Sequence, residues 1–303
     1  MGRLGTKGTK KKSRVRFLFT SPPVGGRVEK ERPRPTTVEL SVDTNNHMQL
    51  TFDAKLAREY KSTSQRVRVL TEHWVDKSVF CPNCGHLNID KYENNRPVAD
   101  FYCKNCREDY ELKSKQGTIG TKVLDGAYRT MLERLTSSHN PNFFLLNYDL
   151  TNLEVTNFFV IPKHFFVPGI IEKRKPLSQT ARRAGWVGCN VLLSYIPQAG
   201  KIFIIRNKQV EPKEKVLTDW KKTLFLRGEK ETSAKGWLLD VMRSIEKLGK
   251  QEFKLDDAYA FENELSKLHP ENKHIKDKIR QQLQIMRDKG YLDFVSRGHY
   301  RLA

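Results

Sequence analysis

Two Cys-x-x-Cys pairs, Cys81-Pro-Asn-Cys84 and Cys103-Lys-Asn-Cys106, stand eighteen residues apart. That spacing falls in the ribbon pattern that closes four thiolates around one metal ion. Four thiolates give soft, tetrahedral coordination, which suits Zn²⁺ and leaves no position for water, so the ion expected here is structural. Two redox dithiols are the rival reading, but no thioredoxin-like βαβ pattern surrounds either pair. A metal closed at this point staples residues 81–106 into one unit and fixes whatever lies between the pairs. The fifth cysteine, Cys189, lies in an apolar run over 185–193 and is expected as a buried small hydrophobe. Cysteines used this way point to a reducing compartment, and the cytoplasm is expected.

Asp100 lies inside the cysteine frame, and Glu111 and Lys113 lie just beyond it. The polarity of 98–102 and 110–113 predicts two short strands joined as a hairpin. Alternate residues of a strand share a face, so Glu111 and Lys113 point together while Leu112 points away into a core. With Asp100 across from that face, two carboxylates and an amine converge. Mg²⁺ prefers carboxylate oxygens and keeps several waters, so Asp100 and Glu111 are expected to hold it. Such an ion draws charge from a phosphoryl group and activates water, which Lys113 is placed to orient or deprotonate. The trio predicts phosphodiester hydrolysis. The plain alternative is an exposed hairpin whose alternating Glu and Lys form a solvated face.

These residues carry a resemblance. The run Glu-Asn-Asn-Arg-Pro-Val-Ala-Asp-Phe-Tyr-Cys (93–103), then Tyr-Glu-Leu-Lys-Ser-Lys (110–115), resembles the active site of the PD-(D/E)XK nuclease superfamily. More narrowly, it is similar to the DpnI family of restriction endonucleases. Asp-Gly-Ala-Tyr (125–128), Asn-Pro-Asn-Phe-Phe (140–144), Thr-Ala-Arg-Arg-Ala-Gly-Trp (180–186) and Lys-Ile-Arg-Gln-Gln-Leu-Gln-Ile (278–285) extend the likeness from about Met48 to the C terminus. One departure from the superfamily pattern is Ala99 where a Pro precedes the acid; that Pro ligates no metal. The resemblance implies that Asp100, Glu111 and Lys113 take the catalytic places, with the Leu112 carbonyl as a further Mg²⁺ ligand. It also implies a type II, Mg²⁺-dependent endonuclease that cuts double-stranded DNA at GATC carrying 6-methyladenine, with both domains reading the site.

A formal net charge of +20 over 303 residues attracts polyanions. An anionic membrane is the rival partner, but no apolar run approaches a membrane span and no basic amphipathic helix stands out. Residues 1–47 hold eleven Lys and Arg against four acids, with Pro-Pro, Gly-Gly and little to bury. They read as a disordered basic extension, either clinging to DNA or preceding a true start at Met48. Leu56, Tyr60, Val67, Leu70 and Trp74 predict a helix over 54–77, on which Glu72 reads as an ordinary surface acid. A second helix is expected over 125–135. The apolar runs 143–148, 156–161 and 201–205 predict strands of an α/β core with a mixed sheet.

Arg182, Arg183 and Trp186 are expected at DNA, the arginines on phosphate or guanine and the indole on a base or methyl group. A solvated pair beside a core Trp is the alternative. Residues 211–232 read as a charged linker with a short helix at 217–225. Beyond them, helices at 233–248, 257–268 (capped by Asp256) and 273–289, with a strand at 253–255 and a hairpin at 291–302, follow the winged-helix plan. The third helix sets an apolar stripe of Ile275, Ile279, Leu283 and Met286 against a polar face of His274, Lys276, Lys278, Arg280, Gln281 and Gln284. That face, with Arg297 at the hairpin tip, is expected to reach base edges and phosphates. The expected organisation is a basic extension over 1–47, an α/β nuclease domain with a zinc-ribbon insertion over 48–230, and an α+β winged helix over 231–303. A monomer is expected, since two different DNA-reading domains suffice. The competing reading is a non-enzymatic zinc-ribbon and winged-helix regulator; a junction-resolving or repair nuclease would keep the chemistry and change the substrate.

Overall fold

In the computed structural model, residues 48–93, 99–135, 137, 140–229 and 231–303 are described. The extension expected over 1–47 lies outside them, as does Val98 at the start of the first expected strand. A 3₁₀ turn at Ala54–Ala57, capped by the Asp53 side chain, leads to α1 (Thr63–Ser78). Then follow β1 (Asp90–Lys91), β2 (Phe101–Tyr102), β3 (Asp109–Gln116), β4 (Lys122–Ala127) and α2 (Tyr128–Leu135). Next come β5 (Asn142–Asp149), β6 (Glu154–Ile161), β7 (Ile171–Lys173), β8 (Gly188–Leu192), β9 (Ile202–Arg206), β10 (Gln209–Val210) and α3 (Lys213–Thr223).

The apolar runs at β5 and β6 are apolar because both of their faces are covered. Phe143, Leu145, Phe159 and Ile161 enter one core, while Phe144, Leu146, Phe158 and Val160 enter the other. These strands centre a seven-stranded sheet of order β1-β2-β3-β5-β6-β9-β10. Strands β3 and β5 pair in parallel and the other neighbours antiparallel, so the sheet is mixed as expected. A parallel pair needs a crossover, and β4 with α2 supplies it. Three further strands, in the order β4-β8-β7, form a second sheet that the sequence reading did not foresee.

Three expectations for this region are corrected. The helix expected over 54–77 begins only at Thr63; Leu56 and Tyr60 are exposed, and the helical period is carried by Val67, Leu70 and Trp74. The helix expected over 125–135 begins at Tyr128, because residues up to Ala127 are drawn into β4 by pairing with β8. The stretch expected over 211–232 as a charged linker with a short helix at 217–225 does hold a helix there, but α3 begins earlier, at Lys213, and its Val216 and Trp220 are completely buried rather than in a linker. Its charges occupy the outer face and conceal an apolar stripe four residues apart.

The last segment contains α4 (Thr232–Lys247), β11 (Glu252–Lys254), α5 (Leu255–Tyr259), α6 (Glu262–Leu268), α7 (Ile275–Asp288), β12 (Leu292–Ser296) and β13 (His299–Leu302). The order β11-β13-β12 makes the wing. The single helix expected over 257–268 is two, and Asp257 rather than Asp256 serves the cap, accepting the Lys254 N–H at 2.8 Å. Ile275, Ile279, Leu283 and Met286 are all buried as their spacing predicts. The core under the sheet continues from Met131 and Phe143 through Trp237 and Leu238 to Leu283 and Tyr300.

Truncating Trp220 to Ala should cost about 3–5 kcal/mol of stability, the usual range for a buried indole. Denaturant unfolding measures it, and a loss below about 1 kcal/mol would restore the linker reading.

Candidate active site and metal centre

The four cysteines converge. Each offers one sulfur, and these atoms all lie within 4.8 Å of one another. The Cys81–Cys106 and Cys84–Cys103 separations are 3.5 and 3.6 Å. Tetrahedral zinc with ordinary Zn–S bonds requires about 3.8 Å between sulfurs, so the cluster fits a metal such as zinc. Both pairs sit on matching knuckles. The Gly85 N–H returns to the Cys81 carbonyl at 2.8 Å, and the Arg107 N–H to the Cys103 carbonyl at 2.8 Å. Each knuckle needs a left-handed residue after its second cysteine, at φ +76° for Gly85 and 59° for Arg107. Glycine takes that conformation freely; Arg107 takes it at a steric cost. The Tyr110 hydroxyl lies 3.1 Å from the Cys81 sulfur, and its ring stacks on Phe144 at 4.4 Å. Tyr110 precedes Glu111 on β3, so the cluster is anchored one residue from the candidate site.

The expected hairpin is present. Phe101 pairs with Tyr110 and Tyr102 with Asp109, and the Asp100 N–H donates to the Tyr110 carbonyl at 3.0 Å. Among the described residues, β2 pairs with β3 only through Phe101 and Tyr102, and no strand partner follows on that edge beyond Tyr110. The Asp100 carboxylate folds over that edge and accepts the Leu112 N–H at 2.7 Å. Asp100, Glu111, Leu112 and Lys113 line a single cleft of about 710 Å³, with Arg68, Glu72 and Tyr148. Leu112 packs into the core behind, as the alternation predicts.

The charges interlock. Lys113 Nζ lies 2.5 Å from Glu111 Oε1 and 2.7 Å from Asp125 Oδ1. Arg134 holds the other Glu111 oxygen at 2.8 Å. Burial pushes the Asp100 carboxyl above its usual range; the Leu112 N–H opposes this, and Glu111 and Glu72 add to it. Burial works against the Lys113 ammonium, but Glu111 and Asp125 together outweigh it and raise its pKa. Glu72 corrects another expectation. It is 6% exposed, not a surface acid, and pairs with Arg68 at 2.6 Å and Lys91 at 2.7 Å. Sequence reasoning also missed Asp125 and Arg134 as neighbours of the trio. The i,i+4 spacing of Arg68 and Glu72 was a legible signal; the tertiary approach of β4 and α2 left none.

The expected DNA contacts lie on two other elements. Arg182 and Arg183 are exposed in the segment between β7 and β8. Trp186 is half-buried, with the Arg183 guanidinium 4.5 Å from its ring. Gly188 makes room for the indole, since a Cβ there would meet Trp186 at 2.7 Å. On α7, Arg280, Gln281 and Gln284 face solvent with His274, and Lys278 is half-buried. Lys276 is engaged with Glu262 at 3.4 Å. Arg297 is exposed at the wing turn. Cys189 is buried on β8, its thiol 3.5 Å from the Gly126 carbonyl. No described helix is long and apolar enough to cross a membrane.

A mixed-sheet α/β core with a four-cysteine cluster, followed by a winged helix, defines a protein of the restriction-endonuclease-like class that carries a DNA-binding module. The chain belongs to the DpnI or Dam-replacing family, whose profile matches residues 48–229. The profile of the Dam-replacing HTH domain matches residues 233–302. Membership supports a methylation-dependent restriction endonuclease whose winged helix binds DNA.

Elemental analysis should find one zinc per chain, and stripping it with a strong chelator should lower the melting temperature and the activity together. A stripped protein with an unchanged melting temperature would show that the cluster is no structural staple. Asp100 generates a second expectation. A carboxyl whose folded pKa is raised leaves the protein most stable below the unfolded value, with stability lost as pH rises through the folded one. Without divalent cations, Asp100→Asn should therefore melt at or above wild type at neutral pH, the gap closing as pH falls below the ordinary aspartate range. Mg²⁺ should raise the melting temperature of wild type and not of the variant; an equal rise in both would remove Asp100 from the cation site.

Proposed function

We propose that the protein is a cytoplasmic, monomeric type II restriction endonuclease that hydrolyses double-stranded DNA at GATC carrying 6-methyladenine, with Mg²⁺ as cofactor and Zn²⁺ as structural ion. The observation that carries this reading is the shared cleft of Asp100, Glu111 and Lys113 along β3. A non-enzymatic regulator has no use for that cleft.

The donor set suits a hard cation. Asp100 and Glu111 offer carboxylate oxygens, and Leu112 turns its N–H toward Asp100, so its carbonyl faces the same edge. These three groups would hold Mg²⁺, which when bound supplies Lewis acidity to a phosphoryl oxygen and activates water. Asp100 and Glu111 would set the position of the cation, and with it the place where a scissile phosphate could bind. Lys113, kept charged by its carboxylate neighbours, donates hydrogen bonds that position the attacking water and steady charge on the phosphate. Arg134 keeps Glu111 turned toward the cleft. Cys81, Cys84, Cys103 and Cys106 would hold a zinc that stiffens the hairpin carrying Asp100.

Reading of the site is shared between the nuclease domain, over 48–230, and the winged helix, over 231–303. Arg182, Arg183 and Trp186 meet the duplex from the first. His274, Lys276, Lys278, Arg280, Gln281, Gln284 and Arg297 meet it from the second. Two readers are needed on energetic grounds. Burying one methyl yields roughly 0.8 kcal/mol, only about fourfold in affinity.

Plasmid carrying adenine-methylated GATC should be cut in the presence of Mg²⁺ and unmethylated plasmid spared, with half-methylated duplexes between. Equal rates on all three would remove the methyl reading. Lys113→Ala should bind DNA as wild type does yet cut about 10²–10⁴-fold more slowly. Wild type that binds but never cuts would leave only the regulator.

A further inference from the structure

Asp125 does not line the cleft, yet it holds the cleft's lysine. It sits on β4 in the second sheet, opposite Cys189 of β8, where the register shifts between Asp125 and Ala127. Such bulges re-aim a side chain and concentrate beside active sites. Here the irregularity turns the Asp125 carboxylate onto Lys113. One oxygen, Oδ1, accepts from Lys113 Nζ at 2.7 Å and from the Gly126 N–H at 2.8 Å. The other, Oδ2, is buried with no hydrogen-bond partner among the described residues, in a side chain only 4% exposed. A buried carboxylate with an idle oxygen is costly, and folds keep few of them without a use.

We infer that Asp125 is a positioning residue for the cleavage proposed above: its buried carboxylate fixes the Lys113 ammonium while Glu111 is engaged by the cation. The inference rests on the nuclease reading and adds the group on which its lysine depends. Lys113 has two anionic neighbours, but Glu111 is divided between Lys113, Arg134 and the cation it is proposed to bind. Asp125 carries no such second duty. It is shielded from the cleft and pinned by its own chain through Gly126, so it would remain in place were Glu111 to engage a cation. Without it, Lys113 keeps only Glu111, and its ammonium competes with the cation for that carboxylate.

The test is Asp125→Asn, which preserves shape and an acceptor for Gly126 while removing the charge. On fully methylated duplex at saturating Mg²⁺, kcat should fall about 10–100-fold, the range for lost outer-shell partners. KM and the DNA Kd should stay within about twofold of wild type, a split that general loosening of the fold would not give. An unchanged kcat, or a raised KM with kcat intact, overturns the inference. A cycle with Lys113→Gln separates a role through the lysine from a folding defect, which would appear in both backgrounds. The Lys113→Gln/Asp125→Asn double variant should cut no more slowly than Lys113→Gln, because Asp125 acts only through the lysine. A further loss in the double variant overturns it. Wild type on the same duplex separates the two failures: inert wild type ends the nuclease reading, whereas active wild type with an equally active Asp125→Asn ends the assignment to Asp125 alone.

Discussion

The hydrogen bond from the Leu112 N–H to the Asp100 carboxylate, 2.7 Å long, joins the two halves of the candidate site. Among the described residues, β2 pairs with β3 through two residues only, and the Asp100 side chain meets the next free amide on that edge. An unpaired edge is ordinarily a hazard for aggregation. Here its backbone is put to use: the amide orients one acid, and the carbonyl beside it faces the same place. Placing Asp100 within reach of Leu112 requires a fixed hairpin, and the cysteine knuckles fix it from below. Glu108 strengthens that anchorage. It follows the second knuckle, is buried, and binds Arg227 at 2.9 Å and Asn142 at 2.9 Å, tying the cluster to the core on its other side.

The site concentrates negative charge in a strongly basic chain. Asp100, Glu111, Asp125 and Glu72 lie close together, and burial raises the cost of ionising Asp100. Folding tolerates the arrangement because Lys113, Arg134, Arg68 and Lys91 are interleaved with the acids. Each cation here is paired with a carboxylate, and Lys113 and Arg134 are also largely shielded from solvent, which gives the groups defined directions before any substrate arrives. Preorganisation of this kind is where electrostatic catalysis obtains its strength.

Much of this was legible in the chain because it is local. Strands β5 and β6 announce themselves by unbroken apolar runs, and α7 by Ile275, Ile279, Leu283 and Met286. The cysteine spacing states its cluster, and the alternation of Glu111, Leu112 and Lys113 states which side chains share a face. Reading failed where a local pattern was overridden. Helical spacing extended α1 back over Leu56 and Tyr60, which have no core to cover. The charge of 211–232 concealed Trp220, a fully buried side chain.

Spacing along the chain therefore determined the cysteine cluster, the hairpin, the winged-helix order and the shared face of Glu111 and Lys113, since each depends on residues near one another in sequence. Only the tertiary structure decided what surrounds them. Asp125 reaches Lys113 because β4 pairs with β8, more than sixty residues away, and Arg134 reaches Glu111 because the crossover lays α2 beside β3. Long-range pairing of this sort is governed by how buried surfaces match once the whole core has closed, and no local pattern encodes it.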